Sequence, residues 1–333
     1  MELTTQQKDV LAQINQMGSN DVAIATAAAT EYAKAVQVPL REQILTGDNI
    51  SNIFTPEDYR DGKEPKFPLD VLRPGDEAQH VAYVIPDEGR IAEKRVESDY
   101  VVVPTFRIAN GIDAKSTHLR DAKFPMAARM MEILEGGFIA KKNDEGWQTV
   151  LSAARGRGLV VSDPNAVAGQ FTPRLITALS TIMRRSGGGN SGSKNRSKLT
   201  DIYMSPEAHM DIRSWNIVEI PETARTTIYN DAGNSDTINV YGVNLHALDE
   251  FGEGQEYQNY FITTLGGSMA ASDLEIVIAL DRQRNDSFVM PVREDLLVNE
   301  DLTAHRHQLV SFYATMELGF GVLDARRVLV GSL

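Results

Sequence analysis

The sequence predicts an α+β fold. Three observations carry this: apolar residues at helical spacing over 125–155 and from Thr172 to Arg185, short β-branched and aromatic runs bounded by turn residues over 199–281 and 308–330, and a long alternating stretch from Gln79 to Ile108.

The alternating stretch organises the chain. His80, Ala82 and Val84 alternate with Val81, Tyr83 and Ile85, Asp87-Glu88-Gly89-Arg90 reads as a reversal, and Tyr100, Val102, Phe106 and Ile108 alternate with Val101, Val103 and Arg107. This is a long hairpin with a polar tip, and Pro86 and Pro104 suit strands with unpaired edges. Burying Val81, Tyr83, Ile85, Tyr100, Val102, Phe106 and Ile108 is worth roughly 1.5–3 kcal/mol each, yet a lone two-stranded hairpin is marginal in water. The ribbon therefore needs a surface to lie on, either its own domain or a neighbouring copy. The sequence around it favours the neighbour.

At 333 residues the chain exceeds the roughly 250–300 at which one core stops growing, so two domains plus extensions are expected. A net charge of −13 argues against wrapping nucleic acid by phosphate neutralisation and suits a surface that must not stick to a polyanion held nearby. The absence of cysteine excludes disulfides, thiolate metal sites and cysteine nucleophiles. Met1-Glu2-Leu3-Thr4-Thr5 has no basic region followed by an apolar core, and no apolar run approaches the ~18–20 residues that span a bilayer. A soluble chain, cytoplasmic when made and without a membrane partner, is expected.

Val10, Leu11, Ile14 and Met17 predict a short amphipathic helix, and Ser19-Asn20-Asp21 cap an alanine-rich one to about Val36. Residues 37–73, with Pro39, Gly47, Pro56, Gly62, Pro65 and Pro68, predict an extended arm without a core. Pro125 opens a long helix to 155, with Met126, Met130, Ile133, Leu134 and Phe138 on one face, then Trp147, Val150 and Leu151, loosened at Gly136-Gly137. A helix follows from Thr172-Pro173 to about Arg185. Then come a strand from Leu199 to Met204, a helix from Ser205 to Trp215, and strands from Thr237 to Leu248, Tyr257 to Leu265 and Leu274 to Asp281. Gln308 to Leu318 and Val322 to Val330 close the chain as two more strands around Gly319-Phe320-Gly321.

Motifs for chemistry fail on their own terms. Ser186 to Asn195 is glycine-rich, but Ser193 stands where a phosphate loop needs lysine. Gly252-Glu253-Gly254 and Gly319-Phe320-Gly321 lack the third glycine of a dinucleotide turn, and His305-Arg306-His307 lacks further zinc ligands nearby. No catalytic residue, cofactor or metal is expected. One contrast points to assembly instead. Arg184, Arg185, Lys194, Arg196 and Lys198 fall in a stretch without acids, whereas Asp249, Glu250, Glu253 and Glu256 fall in one without bases. Two solvated loops account for this pattern; so does a head-to-tail contact between copies, in which opposite charge sets register.

The runs Ile276 to Arg282, Asn285 to Glu294 and Glu317 to Gly331 resemble the closing segment of tailed-bacteriophage major capsid proteins. The order of parts upstream is also similar to that family. The resemblance implies the HK97-like capsid fold: N-terminal helices and arm (1–75), an extended β-hairpin loop (76–115), a spine helix with peripheral domain (116–160 and 282–333) and an inserted axial domain (161–281). It implies a virion shell protein, assembled in the host cytoplasm, that forms hexamers and pentamers around double-stranded DNA without sequence-specific binding. Its implied partners are further copies of itself, a separate scaffolding protein, a portal and a decoration protein. Val81, Tyr83, Tyr100 and Phe106 of the ribbon, with Arg184, Arg185, Lys198, Asp249, Glu250 and Glu253, are the candidate inter-subunit contacts. Some members of that family join a ribbon lysine to a peripheral asparagine. Lys94 and Asn285 or Asn299 match no motif for it, so no crosslink is expected. An encapsulin-like nanocompartment shell is the alternative on the same fold.

Overall fold

The computed structural model describes residues 16–17, 22–46, 49–69, 99–115, 126–186, 197–215, 237–269, 273–283, 287–301 and 309–333. The first elements are helices α1 (Val22–Thr46) and α2 (Asn49–Ile53) and strands β1 (Thr55–Asp58), β2 (Lys66–Leu69), β3 (Asp99–Val102) and β4 (Phe106–Lys115). The long helix α3 (Met126–Arg157) leads into β5 (Val160–Ser162), α4 (Pro173–Ser186), β6 (Asp201–Met204) and α5 (Pro206–Asp211). Then come β7 (Thr237–Val240), β8 (Val243–Ala247), α6 (Glu256–Asn259), β9 (Ile276–Leu280), β10 (Phe288–Glu300), β11 (Leu309–Leu318), β12 (Gly321–Val322) and β13 (Val328–Ser332). Contacts divide the chain into two compact units. The first is Met1–Lys66, Val102–Gly146 and Val289–Gly321; the second is Phe67–Val101, Trp147–Phe288 and Val322–Leu333.

In the first unit β1, β10, β11 and β4 form a sheet in that order. Alternation along β11 buries Val310, Phe312, Ala314, Met316 and Leu318, and the β4 register brings Ile108 opposite Met316 on the same face. Onto that face α1 sets a stripe at helical spacing, Ala25, Ala28, Ala29, Tyr32 and Ala33, with the Tyr32 ring 6.0 Å from Phe312. Helix α3 buries Met130, Met131, Leu134 and Phe138, while Ile133, expected on that face, is exposed. The helix runs unbroken through Gly136-Gly137. Gly137 instead makes room for a strand, because a Cβ there would meet the Asn110 amide at 2.5 Å.

The arm and ribbon depart from expectation. Helix α1 continues past Val36 and through Pro39 to Thr46, and Leu40, Ile50, Ile53 and Phe54 are buried. Leu40, Ile50, Ile53 and Phe54 thus have partners in their own unit, and β1 pairs parallel with β10. Few apolar residues suffice when each is fully covered. The strand expected from Tyr100 to Ile108 divides at Pro104, which has no N–H to give a ladder. Its outer half, β3, pairs with β2; its inner half pairs with β11 over its whole length, so Phe106 and Ile108 serve their own subunit's core. The first arm of the ribbon, with Val81 and Tyr83, lies outside the described residues.

The break at Pro104 lies against the Gly319-Phe320-Gly321 turn. A Cβ at 319 would meet the Pro104 carbonyl oxygen at 2.4 Å, and Phe320 packs 5.1 Å from Phe54. Backbone cannot retreat as a flexible side chain can, so Gly319→Ala is expected to destabilise the first unit by about 1–3 kcal/mol, measured by urea unfolding.

The second unit is built on a six-stranded sheet in the order β5-β13-β9-β6-β8-β7. Strands β6, β9 and β13 are buried at every position, the signature of strands covered on both faces. Helix α4 covers one face with Leu175, Ile176, Leu179 and Met183; Trp147 meets Tyr203 on the other. The C-terminal strand β13, expected with the peripheral segment 282–333, lies inside this sheet, paired with β5 and β9.

Three local expectations are corrected here. Thr237 to Leu248 is a hairpin turning at Tyr241-Gly242, not one strand. Tyr257 to Leu265 is helical, α6 continuing as a π-turn (Tyr260–Thr264), because Tyr257 and Phe261 lie one turn apart and Tyr257 docks on Trp147. Packing there overrides the strand preference of an aromatic, β-branched run. Val322 to Val330 is interrupted by a 3₁₀ turn (Ala325–Arg327), which the Asp324 carboxylate caps by accepting from the Arg326 N–H.

Candidate assembly surfaces

Strand directions in the second unit sort its charged residues. Strands β6 and β8 are parallel, β9 runs against β6, β13 against β9, and β5 along β13. The segments after β5, β6 and β8 and the one before β9 therefore share one end of the sheet. The β7–β8 turn and the segments before β5, β6 and β13 share the other.

Helix α4 starts beyond the C-terminal end of β5 and runs back, and its last residue, Ser186, takes a hydrogen bond from Arg157. Arg184, Arg185 and Lys198 are thus exposed at the end where β6 begins. The described acids of that end are matched by arginines: Asp201 with Arg282 (3.3 Å), Asp324 with Arg326 (2.9 Å) and the buried Asp281 with Arg327. Burial pushes the Asp201 carboxyl up. Hydrogen bonds from His246, Thr200 and Asn244 and the charge of Arg282 outweigh this and hold it below the usual aspartate value. With those acids engaged, the described residues of this end present Arg184, Arg185 and Lys198 as exposed positive charge.

The opposite end is acidic. Asp249, Glu250 and Glu253 are exposed in the loop after β8, Glu256 is exposed at the start of α6, and Glu207 is exposed on α5 beside the loop. The loop is anchored from beneath. Phe251 is buried with its ring 5.3 Å from Trp147, and Gly252 has φ 131°, where a side chain is strained. Glu275, just before β9, accepts from the Ser205 hydroxyl at 2.5 Å and from the Glu253 N–H.

Burial first, then the charges of Glu207 and Asp211, raise the Glu275 carboxyl above the ordinary 4.5. A carboxyl raised on folding stabilises the fold below its unfolded value, and that contribution is lost as pH rises through the folded one. Glu275→Gln is expected to flatten the stability difference between pH 4.5 and neutrality relative to wild type and to melt higher at pH 7. Thermal melts across that range check it.

The predicted contact residues among the described ones thus fall into four places. The acidic and basic sets stand at opposite ends of one sheet, Tyr100 is 67% exposed on β3, and Phe106 is half-buried against Phe320 in its own unit. Sequence reasoning missed Tyr241, exposed at the β7–β8 turn; the signal there was Gly242 alone, a turn former between two β-prone runs, since an aromatic at its side argues against a tight turn.

No family model matches the sequence, and no curated protein matches it. Solved structures do match. The capsid asymmetric unit of cyanophage Pam1 superposes with a TM-score of 0.55 at 10% identity, covering 88% of this chain and 92% of that one. The chain has the HK97-like capsid fold. Microbacterium phage Oxtober96 matches at TM-score 0.53 and 10% identity over 85% of this chain and 90% of that one. The capsid of a native GTA particle matches at 0.51 and 12% over 85% and 89%. In these capsid-fold matches the backbone path is shared. The charged ends are chemistry this sequence places on the capsid fold. Among the described residues no helix is long and apolar enough to cross a membrane.

Proposed function

We propose that this chain is the major shell subunit of a tailed-phage head. Copies join head-to-tail into hexamers and pentamers, and these close into an icosahedral container for double-stranded DNA. The observation that carries the reading is the likeness of 88% of the chain to a capsid asymmetric unit. The opposed charged ends of the second unit support it, since a ring needs two different, complementary patches on one subunit. In this reading the second unit does the work of the axial domain. The segment around β2 and β3, with Tyr100 and Val102 exposed, begins the strap that reaches a neighbour, and many such modest contacts add through multivalency. The acidic balance keeps the shell from adhering to packaged DNA. A separate scaffolding protein, a portal and a decoration protein are its partners, and the virion is its location.

Electron microscopy of the purified chain and of its native particle tests this. Closed shells with rings of six and five around DNA are expected. A particle filled with protein cargo and no DNA would make it a nanocompartment shell. A monodisperse monomer whose melting depends on a small ligand would sink both.

A further inference from the structure

The β7–β8 hairpin turns on two residues, Tyr241 at φ 54° and Gly242 at φ 76°. Left-handed positions in such turns are the province of glycine, asparagine and aspartate, and a bulky aromatic there is strained. Strain of this kind persists where the side chain has a use. Tyr241 is 53% exposed, at the same end of the sheet as Arg184, Arg185 and Lys198.

The acidic end has an apolar counterpart. Val167, in the loop after β5, is 71% exposed, Met210 on α5 is 52% exposed and Leu274 before β9 is 42% exposed. All three stand at the acidic end of the sheet, where a Cβ at Gly169 would touch the Leu274 side chain at 3.4 Å and the Phe171 N–H donates to the carboxylate of Asp211, next to Met210 in sequence. Glu207 and the acidic loop border it.

Resting on the shell reading, we propose that Tyr241 is the apolar anchor of the head-to-tail contact, seated on the Val167, Met210 and Leu274 patch of the next copy. Charge complementarity selects the occupant. The aromatic stands at the end of the sheet that carries Arg184, Arg185 and Lys198, the patch at the end that carries Glu207 and the acidic loop, and both lie on the same chain, so a second copy satisfies each. An aromatic ring on a tight two-residue turn loses little freedom on docking, as anchors at the centre of interfaces do, while the charges form the rim.

The test uses the full chain, with assembly followed by light scattering and microscopy against concentration. Tyr241→Asn keeps the turn, relieves the backbone and removes the ring. It is expected to remain folded as an unassembled subunit, yet to need about tenfold or more concentration to assemble. Val167→Glu, on an exposed loop, is expected to raise the threshold similarly, and Tyr241→Phe to leave it unchanged. Assembly of Tyr241→Asn at the wild-type threshold would overturn the anchor, and an unaffected Val167→Glu would overturn its seat. Either result stands apart from failure of the shell reading, in which the native particle holds no closed shell of this chain.

Discussion

On the proposed head-to-tail assembly, reversing Arg184, Arg185 and Lys198 to glutamate is expected to abolish ring closure while leaving the chain folded. All three side chains are exposed. Exposed substitutions away from special features usually change stability by no more than about 0.5 kcal/mol, so the melting temperature of the dissociated chain should hardly move. At the contact the arithmetic differs. Like charges set against each other cost several kcal/mol per interface, and a ring repeats that interface at every subunit. Sedimentation should show only dissociated chains at concentrations where wild type forms rings. Combining the reversal with Asp249→Lys, Glu250→Lys and Glu253→Lys should restore assembly, because the attraction is rebuilt with its sign exchanged. Wild-type assembly should weaken as salt is raised, since exposed charges are screened within about 8–10 Å. A triple reversal that assembles normally would show that the two ends do not meet.

Trp147→Ala is expected to have the largest effect on stability. Its side chain is 1% exposed and lies edge-on to Tyr203 at 4.9 Å and Phe251 at 5.3 Å, with Tyr257 at 6.0 Å. Removing a buried aromatic of this kind costs about 3–5 kcal/mol, a large share of the roughly 5–15 kcal/mol that holds a domain folded. The urea midpoint of the second unit should fall accordingly, and Trp147→Phe should recover part of the loss. Assembly should fail too, and for a local reason: Phe251 belongs to the acidic loop, so the cavity opens directly beneath the residues proposed to meet the next copy.

Much of the architecture was legible because it depends on neighbours in sequence. Pro173 and the spacing of Leu175, Ile176, Leu179 and Met183 define α4, and the apolar run Ile276 to Leu280 defines a buried strand. Helix α6 was not legible, since Tyr, Phe, Ile and Thr favour strands and only docking on Trp147 makes the segment helical. The arm misled for the opposite reason: its few apolar residues look too sparse for a core until the first unit covers Leu40, Ile50, Ile53 and Phe54 completely.

The candidate contacts divide in the same way. Clustering of one sign of charge over 184–198 and the other over 249–256 is composition, and it can be read without a fold. Their placement at opposite ends of one sheet follows from the directions of β6, β8, β9 and β13, which are settled by pairings between residues far apart in the chain. The left-handed backbone at Tyr241 likewise arises from closing β7 onto β8, a demand of hydrogen-bond register that the residue's own preference opposes. Side-chain chemistry is carried locally; its direction in space depends on long-range pairing, which no short stretch of sequence encodes.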